Sequence, residues 1–213
     1  MLYEAINLPV FDRIPKTAKN ILDIGCGTGQ LGKKIKEYID CKVVGVTYSK
    51  SEASIAEKHL DKVAIHDLNN FDTSSIGEFD CIICSHILEH LNYPEKLLSS
   101  LRNNMNDNSV MIIALPNILH FKQRLKFIQG NFKYTEGGIM DKTHFRFFDW
   151  ETAHSLLRNS GYQIMDSEAI GNFPLMGLRK LMIAGISHSI DDMATNKAPG
   201  LFGFQFLFSC KIN

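Results

Sequence analysis

The sequence predicts an α/β protein with an open, doubly wound, mostly parallel seven-stranded sheet and helices on both faces. Short apolar runs alternate with helical patterns along most of the chain, which is typical of parallel strands joined by crossover helices. The runs are apolar throughout rather than alternating with polar residues, as expected for strands covered on both faces. The 213 residues suffice for one large core, so we expect a single domain over residues 1–213.

The first half of the chain contains five strand candidates, each short, apolar and bounded by turn residues. They are predicted at 20–25 (NILDIG), 42–47 (KVVGVT), 62–67 (KVAIHD), 79–85 (FDCIICS) and 109–116 (SVMIIALP). Segments rich in Lys, Glu, Ala or Leu lie between the strands, and they predict helices at 29–39, 50–60 and 93–104.

The pattern becomes less regular in the second half. The residues NILHFKQRLKFIQG predict an amphipathic helix over 117–130, and the glycine- and aromatic-containing segment 130–149 is predicted to be a loop. A loop of this length inside a compact domain is usually functional or mobile. A helix then begins at Trp150, with Asp149 as its N-cap and Gly161 as its stop.

Two further strands, near 162–170 and 203–212, complete the predicted sheet. Between them, segment 172–200 is a candidate lid or dimer surface, and it contains an apolar helix predicted over 176–186. The large apolar residues of that helix are more typical of a core than of a cofactor site: Met176, Leu178, Leu181 and Met182.

Composition and charge argue against several function classes. The chain is 45% hydrophobic and 22% charged, as in ordinary globular proteins. Its 23 basic residues balance 23 acidic ones, so no overall field attracts nucleic acid or an anionic membrane. No apolar run approaches the roughly 20 residues needed to span a bilayer. We therefore expect a small-molecule partner, and neither nucleic acid nor membrane.

The first residues and the cysteines indicate the cellular compartment. MLYEAINLPVFDR has an acid and no basic region before an apolar core, so we expect no signal peptide. Five scattered cysteines fit a reducing compartment, and we predict a cytoplasmic protein. Cys81 and Cys84 form a C-x-x-C, but on a strand residues three apart point to opposite faces, so we interpret both as core residues.

The strongest chemical signal is the glycine-rich turn ILDIGCGTGQLGKKI. An apolar strand reaches Asp23, the chain passes through Gly25, Gly27 and Gly29, and a helix begins at once. Glycines permit positive φ and close approach of a ligand, and the helix N-terminus offers free N–H donors. A dinucleotide-binding fingerprint, G-x-G-x-x-G, requires glycine where this chain has Gln30, which disfavours a nicotinamide oxidoreductase.

With the form D-x-G-x-G-x-G, residues 18–116 resemble the cofactor-binding half of the class I S-adenosylmethionine-dependent methyltransferases. The resemblance implies that S-adenosyl-L-methionine is the cofactor and that the turn faces its methionine part and ribose. The family usually has an acid for the ribose hydroxyls at the end of the second strand, where this chain has Thr47; cyclopropane-synthase-type relatives have a similar G-V-T segment. Asp67 falls where the family recognises the adenine amino group, although it can also be a turn residue. The implied cofactor contacts are Asp23, Gly25, Cys26, Gly27, Gly29, Thr47, Asp67, Leu68, Ser85 and His86.

The stretch SHILEHL places His86, Glu89 and His90 in the pattern H-x-x-E-H of an inverzincin zinc protease. On one helical face, two imidazoles bind zinc and the carboxylate activates its water. Here the pattern follows a strand, so His86 is predicted at the strand's carboxyl end and the two imidazoles need not share a face. Glu168, a candidate third ligand, falls in a predicted outer strand. We therefore predict no metal, and Glu89 and His90 either touch the substrate or cap the next helix and hold the loop.

The segment LPNILHFKQRLKFIQGNFKYTEGGIMDKTHFRFF is similar to bacterial methyltransferases of surface-polysaccharide and other sugar-linked gene neighbourhoods, and part of it to small methyltransferase-fold proteins of methionine biosynthesis. We assign residues 117–213 to the substrate side. His120 and Arg124 lie four apart on a predicted helix and can face one cavity. An extended segment would aim His144 and Arg146 to one side and Phe145, Phe147 and Phe148 to the other.

These side chains predict the substrate class. Arginine suits a phosphate or carboxylate, and histidine can take a proton from a hydroxyl near neutral pH. The catalytic candidates are His144, Arg146, His120 and His86, and the substrate-binding candidates are Asn117, Arg124, Tyr134 and Phe147. The predicted activity is methyl transfer to oxygen or nitrogen of a small polar molecule, with a sugar or sugar-linked metabolite as one option, by a monomer or homodimer. Two alternatives stay open: Asp141, His144 and Arg146 only pin the loop, or the chain is a non-catalytic partner protein.

Overall fold

One seven-stranded sheet organises the chain. The computed structural model describes residues 6–175, 179, 182 and 184–213. The strands are β1 (Asn20–Ile24), β2 (Lys42–Thr47), β3 (Lys62–Ile65), β4 (Cys81–Ser85), β5 (Val110–Pro116), β6 (Tyr162–Gly171) and β7 (Gly203–Ile212). They lie in the order β3-β2-β1-β4-β5-β7-β6, and β7 runs antiparallel to both of its neighbours. The predicted mostly parallel, doubly wound sheet is confirmed.

Helices connect the strands close to the predicted positions. They are α1 (Leu8–Asp12), α2 (Gln30–Tyr38), α3 (Lys50–Ala56), α4 (Pro94–Leu101), α5 (Phe121–Ile128), α6 (Trp150–Asn159), α7 (Ala184–Lys197) and α8 (Pro199–Phe202), with single 3-10 turns at Leu88–His90 and Arg102–Asn104. The helix predicted over 117–130 begins only at Phe121, because His120 is its N-cap. Most of the helix predicted over 176–186 lies outside the described residues, as do Met176, Leu178 and Leu181, whereas Met182 is half-buried.

The sheet is covered on both faces, because alternate residues of each inner strand enter different core clusters. On β1, Leu22 packs into one cluster and Ile21 into the other, and both are fully buried. Each such side chain contributes about 1.5–3 kcal/mol of transfer free energy. Cys84 and Cys81 also fall in different clusters, so the C-x-x-C points to opposite faces as predicted.

The helix that follows the long loop has well-defined ends. The Asp149 carboxylate accepts a hydrogen bond from the Thr152 amide at 2.8 Å, and the Thr152 hydroxyl accepts one from the Asp149 amide at 2.9 Å. This reciprocal capping box satisfies two donors that a helix N-terminus otherwise leaves unpaired. After α6 the chain turns at Gly161 with a φ of +82°. The predicted N-cap and stop are both confirmed.

The structure also bears on the position predicted for Glu168 and on the expected absence of a membrane-spanning segment. Glu168 lies on β6 at the sheet edge, where its carboxylate is 2.6 Å from Arg13 Nη2. Arg13 also pairs with Asp166. Glu168 is thus engaged in an ion pair, as the prediction of an outer-strand position anticipated. None of the helices in the described ranges has the length and apolar character needed to cross a bilayer.

Candidate active site

Several of the predicted cofactor residues lie at the carboxyl ends of β1, β2 and β4. Strand β1 lies between β2 and β4. The chain runs from β1 outward through β2 and β3 and then crosses back to β4 on the other side of β1, so the strand order reverses at this point. A crevice outside the strand ends at such a reversal is where open α/β sheets bind ligands. Asp23 on β1 is in register with Ile83 on β4, which brings the glycine turn and the SHILEHL stretch to the same edge.

The turn after β1 requires glycine. All three of its glycines have positive φ: Gly25 (+79°), Gly27 (+52°) and Gly29 (+78°). The Gly25 amide donates to the Val46 carbonyl at 2.8 Å, which ties the turn to the end of β2. A Cβ atom on Gly25 would lie 2.8 Å from the Ile87 side chain, so an alanine there would clash as well as strain the backbone.

Asp23 lies beneath this turn with its carboxyl group removed from solvent. It is 3% exposed, and its Oδ2 has no hydrogen-bond partner within the described part of the chain. Burial raises the pKa of Asp23 to about 7. A cationic or hydrogen-bond-donating group of a ligand would satisfy this buried oxygen. Together with the open backbone of the turn, it fits the cofactor that the sequence predicts.

The end of β2 has an acid that the sequence argument missed. Thr47 is buried, and its hydroxyl donates to Glu52 Oε2 at 2.9 Å. Glu52 stands in the first turn of α3, where its amide donates to the N-cap Ser49 at 3.3 Å. The residues SKSE carry the S-x-x-E signature of a helix start, and this pattern predicts a glutamate beside the strand end. The carboxylate that Thr47 lacks is thus present five residues later.

Glu52 and Asp23 also influence the cysteine of the turn. Burial raises the pKa of the Cys26 thiol, and the nearby Asp23 and Glu52 charges raise it further. Cys26 therefore stays a neutral thiol at physiological pH, which suits a side chain that packs under a ligand rather than a nucleophile.

Asp67 is exposed and binds its own turn. Its Oδ1 accepts from the Asn69 amide at 3.0 Å, and its Oδ2 accepts from Asn70 Nδ2 at 3.3 Å. These hydrogen bonds, that of the Asn69 amide first, lower the pKa of Asp67. The turn role considered from the sequence is thus present, while the contact with adenine stays a prediction. Leu68 beside it is buried.

His86 follows the last residue of β4, as predicted, and adopts a φ of +52° that is uncommon outside glycine. Its Nδ1 lies 3.3 Å from Glu89 Oε1 and its Nε2 lies 2.8 Å from Gln205 Oε1. Burial lowers the pKa of His86, but the hydrogen bond and charge of Glu89 raise it more, so the net shift is upward. Asn7 donates to Gln205 Oε1 at 3.0 Å and to Ser85 Oγ at 3.3 Å. With both ring nitrogens facing oxygen acceptors, His86 is placed as a hydrogen-bond donor rather than a base.

Glu89 and His90, in the 3-10 turn that follows β4, meet His144 of the long loop. One ligand atom from each lies within 4.8 Å of the others, and the two imidazole centroids are 4.7 Å apart. Glu89 is 1% exposed, and its Oε2 lacks a hydrogen-bond partner among the described residues. Burial lowers the pKa of His144, which favours the neutral imidazole. Sequence spacing does not connect His144 with Glu89, since 55 residues separate them.

The long loop is fastened to this same turn. The amides of Phe145 and Arg146 both donate to the Glu89 carbonyl, at 2.9 and 3.1 Å. The prediction that an extended segment separates His144 from the aromatic rings is wrong, because the chain bends where those two amides converge. The Phe147 ring lies 6.2 Å from the His144 ring instead.

The two arginines predicted to hold substrate bind backbone carbonyls. Arg146 donates from Nε and Nη2 to the Asn92 carbonyl at 2.9 and 2.6 Å. Arg124 donates from Nε to the Leu119 carbonyl at 2.6 Å and from Nη2 to the Gly200 carbonyl at 3.2 Å. For Arg146 this geometry favours the alternative in which the side chain pins the loop.

The other predicted residues differ in their availability. Asn117 is fully buried, and its Nδ2 donates to the Gly203 carbonyl at 2.7 Å, so it holds the β5 to β7 connection together. His120 is 5% exposed, and its Nε2 has no partner within the described ranges. Burial and then the Lys122 charge lower the pKa of His120. Tyr134 is exposed at 56% and reaches out from the loop.

Comparison with known proteins agrees with this geometry. A family model described as a methyltransferase domain matches residues 5–167. The (S)-tetrahydroprotoberberine N-methyltransferase of Eschscholzia californica is 31% identical over 106 residues, which cover 46% of this chain and 30% of that protein. The mitochondrial ubiquinone biosynthesis O-methyltransferase of Schizosaccharomyces pombe is 31% identical over 105 residues, covering 46% and 38%. The chain thus spans about a third of the length of these curated relatives.

A solved structure extends the likeness to the whole sheet. The crystal structure of an S-adenosylmethionine-dependent methyltransferase from Archaeoglobus fulgidus superposes with a TM-score of 0.67 and 22% identity, covering 96% of this chain and 89% of that one. The family match covers well over half of the sequence, and the glycine turn and buried Asp23 lie inside it. This chain therefore belongs to the methyltransferase-domain family.

Proposed function

We propose that this chain transfers the methyl group of S-adenosylmethionine to an oxygen or nitrogen of a small polar molecule, with a sugar or sugar-linked metabolite as the acceptor class, and that it acts as a monomer or homodimer. One observation carries the proposal. The glycine turn with Asp23 lies at the end of β1, and Glu89 and His90 follow the neighbouring parallel strand β4, where the loop residue His144 joins them. A cofactor on the turn would therefore face an acceptor at the cluster.

The cofactor side uses residues that the turn and strand ends present. Asp23 would meet a cationic group of the methionine part, and the Thr47 and Glu52 pair would accept hydrogen bonds from the ribose hydroxyls. Asp67 would bind the adenine amino group from the end of β3. When bound, S-adenosylmethionine supplies a sulfonium whose methyl group is electrophilic. The protein's main task is then orientation, which can supply roughly 7–11 kcal/mol of the barrier.

The acceptor side must position a nucleophile and remove its proton. A bond forms between the acceptor's oxygen or nitrogen and the methyl carbon as the carbon–sulfur bond breaks, and the acceptor's proton leaves. His144 is the candidate base, because its burial keeps the imidazole neutral near pH 7. The Phe147 ring beside His144 offers a face that would stabilise a nearby sulfonium by a cation–π interaction.

Two measurements test this function. Calorimetry with S-adenosylhomocysteine should show one site per chain, and Asp23→Ala should abolish that binding. Wild-type protein incubated with S-adenosylmethionine and a panel of hydroxylated and amino-sugar acceptors should then release S-adenosylhomocysteine. No binding at high micromolar concentration would defeat the proposal.

The alternative of a non-catalytic partner has support from the two arginines that are held by backbone carbonyls rather than left for substrate. His144→Ala separates the two functions. In an enzyme it should keep cofactor affinity and lose methyl transfer, whereas a binding protein would have no transfer activity to lose with any acceptor of the panel.

A further inference from the structure

We propose that Glu89, His90 and His144 form a binding site for a divalent transition-metal ion of the zinc type, with an open coordination position for a hydroxyl of the methyl acceptor. The metal site stands on the side-chain geometry alone. Its role toward an acceptor rests on the function proposed above, and it narrows the acceptor to a hydroxylated molecule.

The Glu89 carboxylate has one oxygen that an ion could bind. Glu89 is 1% exposed, and its Oε1 is 3.3 Å from His86 Nδ1. Its Oε2 is buried and has no partner within the described part of the chain. Leaving such an oxygen unsatisfied costs about 1–3 kcal/mol. An ion on that oxygen would remove the cost, while His86 holds the other oxygen and orients the group.

Backbone carbonyls orient both imidazoles. His90 Nδ1 lies 3.2 Å from the Thr143 carbonyl and 3.0 Å from the Thr143 hydroxyl. His144 Nδ1 lies 3.2 Å from the Ile139 carbonyl. A carbonyl can only accept, so each Nδ1 carries the proton and each Nε2 offers a lone pair. Metal-binding histidines show this arrangement, in which a backbone carbonyl fixes the tautomer and the ring orientation.

The three donors also suit a metal ion in their chemistry and spacing. Two imidazoles and one carboxylate suit zinc and similar ions, and three protein ligands leave a position open in catalytic sites. The ligand atoms lie within 4.8 Å of one another, so small side-chain rotations bring all three onto one ion. The site therefore combines Glu89 and His90 of H-x-x-E-H with His144 of the loop. It does not use the His86 and His90 pair that would bind zinc in a protease of the inverzincin type.

An ion in this position changes the role of His144. It would act as a ligand, and the ion would lower the pKa of a bound acceptor hydroxyl so that its proton leaves to solvent. The loop 130–149 would then have a function in addition to its backbone contacts, since its binding to the Glu89 carbonyl sets His144 against Glu89.

Equilibrium dialysis and calorimetry of the full chain with Zn²⁺ test the site directly. Wild type should bind one ion per chain, and Glu89→Gln and His144→Ala should each raise the Kd at least tenfold. His59→Ala, in the turn after α3, and Cys41→Ser, at a half-buried thiol, should keep the wild-type Kd. Circular dichroism confirms folding, and if Glu89→Gln is unstable, His144→Ala on the loop carries the test. Co²⁺ substitution should give visible bands of nitrogen and oxygen ligation without the near-ultraviolet thiolate band.

Three results would overturn the inference: no Zn²⁺ bound, an unchanged Kd in His144→Ala, or binding lost in Cys41→Ser, which would mean an adventitious thiol ion. S-adenosylhomocysteine titrated into the same samples keeps the two proposals apart. Cofactor binding without Zn²⁺ binding would refute the metal site and leave the proposed function standing, and the reverse result would refute the function.

Discussion

Replacing Asp23 with asparagine should remove a pH dependence from cofactor binding. Burial raises the pKa of Asp23 to about 7, so without cofactor the acid is mostly protonated at pH 5 to 6. A cationic group of the cofactor favours the ionised form, and binding below pH 7 must therefore release a proton. The apparent Kd of the wild type should rise roughly 50-fold between pH 7 and pH 5, equivalent to about 2.3 kcal/mol.

The same pKa predicts the stability of the cofactor-free protein. The folded-state pKa lies above the usual 3.8, so the folded chain holds the Asp23 proton more tightly than the unfolded chain does. This contribution to stability is fully present below about pH 4 and is lost as pH rises to about 7. A shift of that size corresponds to roughly 4 kcal/mol. Asp23→Asn should therefore become progressively more stable relative to wild type over this range.

Calorimetry with S-adenosylhomocysteine and urea unfolding, both at pH 5, 6 and 7, measure the two effects. Histidines also titrate in this range, so the difference between wild type and Asp23→Asn isolates the carboxyl group. Equal slopes of Kd against pH in the two proteins would refute the assignment of Asp23 to the cofactor's cation. Equal stability differences at pH 5 and pH 7 would refute the raised pKa.

Three further substitutions probe the cofactor site and the fold. Gly25→Ala should raise the Kd for S-adenosylhomocysteine at least 100-fold, because its Cβ would meet Ile87 at 2.8 Å, whereas Gly138→Ala, also at positive φ but with open space, should not. Glu52→Gln should weaken that binding about tenfold through loss of a charged acceptor for the ribose, and an unchanged Kd would exclude Glu52 from the ribose site. Asp149→Ala should lower the free energy of unfolding by about 1 kcal/mol in urea while leaving cofactor affinity intact.

The fold was predictable because its determinants are local in the sequence. Each inner strand is a short apolar run, and some of the helices begin with recognisable capping residues, such as Asp149 before α6. Strand β3 ends at Ile65 rather than at 67, since the Asp67 side chain accepts hydrogen bonds from Asn69 and Asn70. A side chain that binds nearby backbone amides competes with the hydrogen bonds between strands and can end a strand early. The pattern of apolar residues in the sequence does not show this effect.

The backbone of the glycine turn was predictable because one short segment, Gly25 to Gly29, contains all of its parts. The carboxylate beside Thr47 was not predicted, because Glu52 belongs to the next helix and reaches the end of β2 only once Ser49 has capped that helix. The loop side chains were harder still. The contacts of Arg146 and Arg124 with carbonyls depend on where distant backbone lies, and spacing along the chain contains no information about that.

The H-x-x-E-H stretch shows how backbone geometry selects among chemistries that the same letters permit. At a φ of +52°, His86 leaves the path of a helix, and its ring turns to Glu89 and Gln205 instead of joining His90. Within the 3-10 turn that follows, the Glu89 carbonyl accepts hydrogen bonds from two loop amides, and those bonds bring His144 beside Glu89 and His90. The pair of imidazoles is kept, but one of them comes from another segment. A donor set assembled this way depends on the loop staying in place. Arg146→Ala removes the contact of the loop with the Asn92 carbonyl. The Zn²⁺ affinity of this variant should therefore fall, even though the Arg146 side chain touches none of the three ligand atoms.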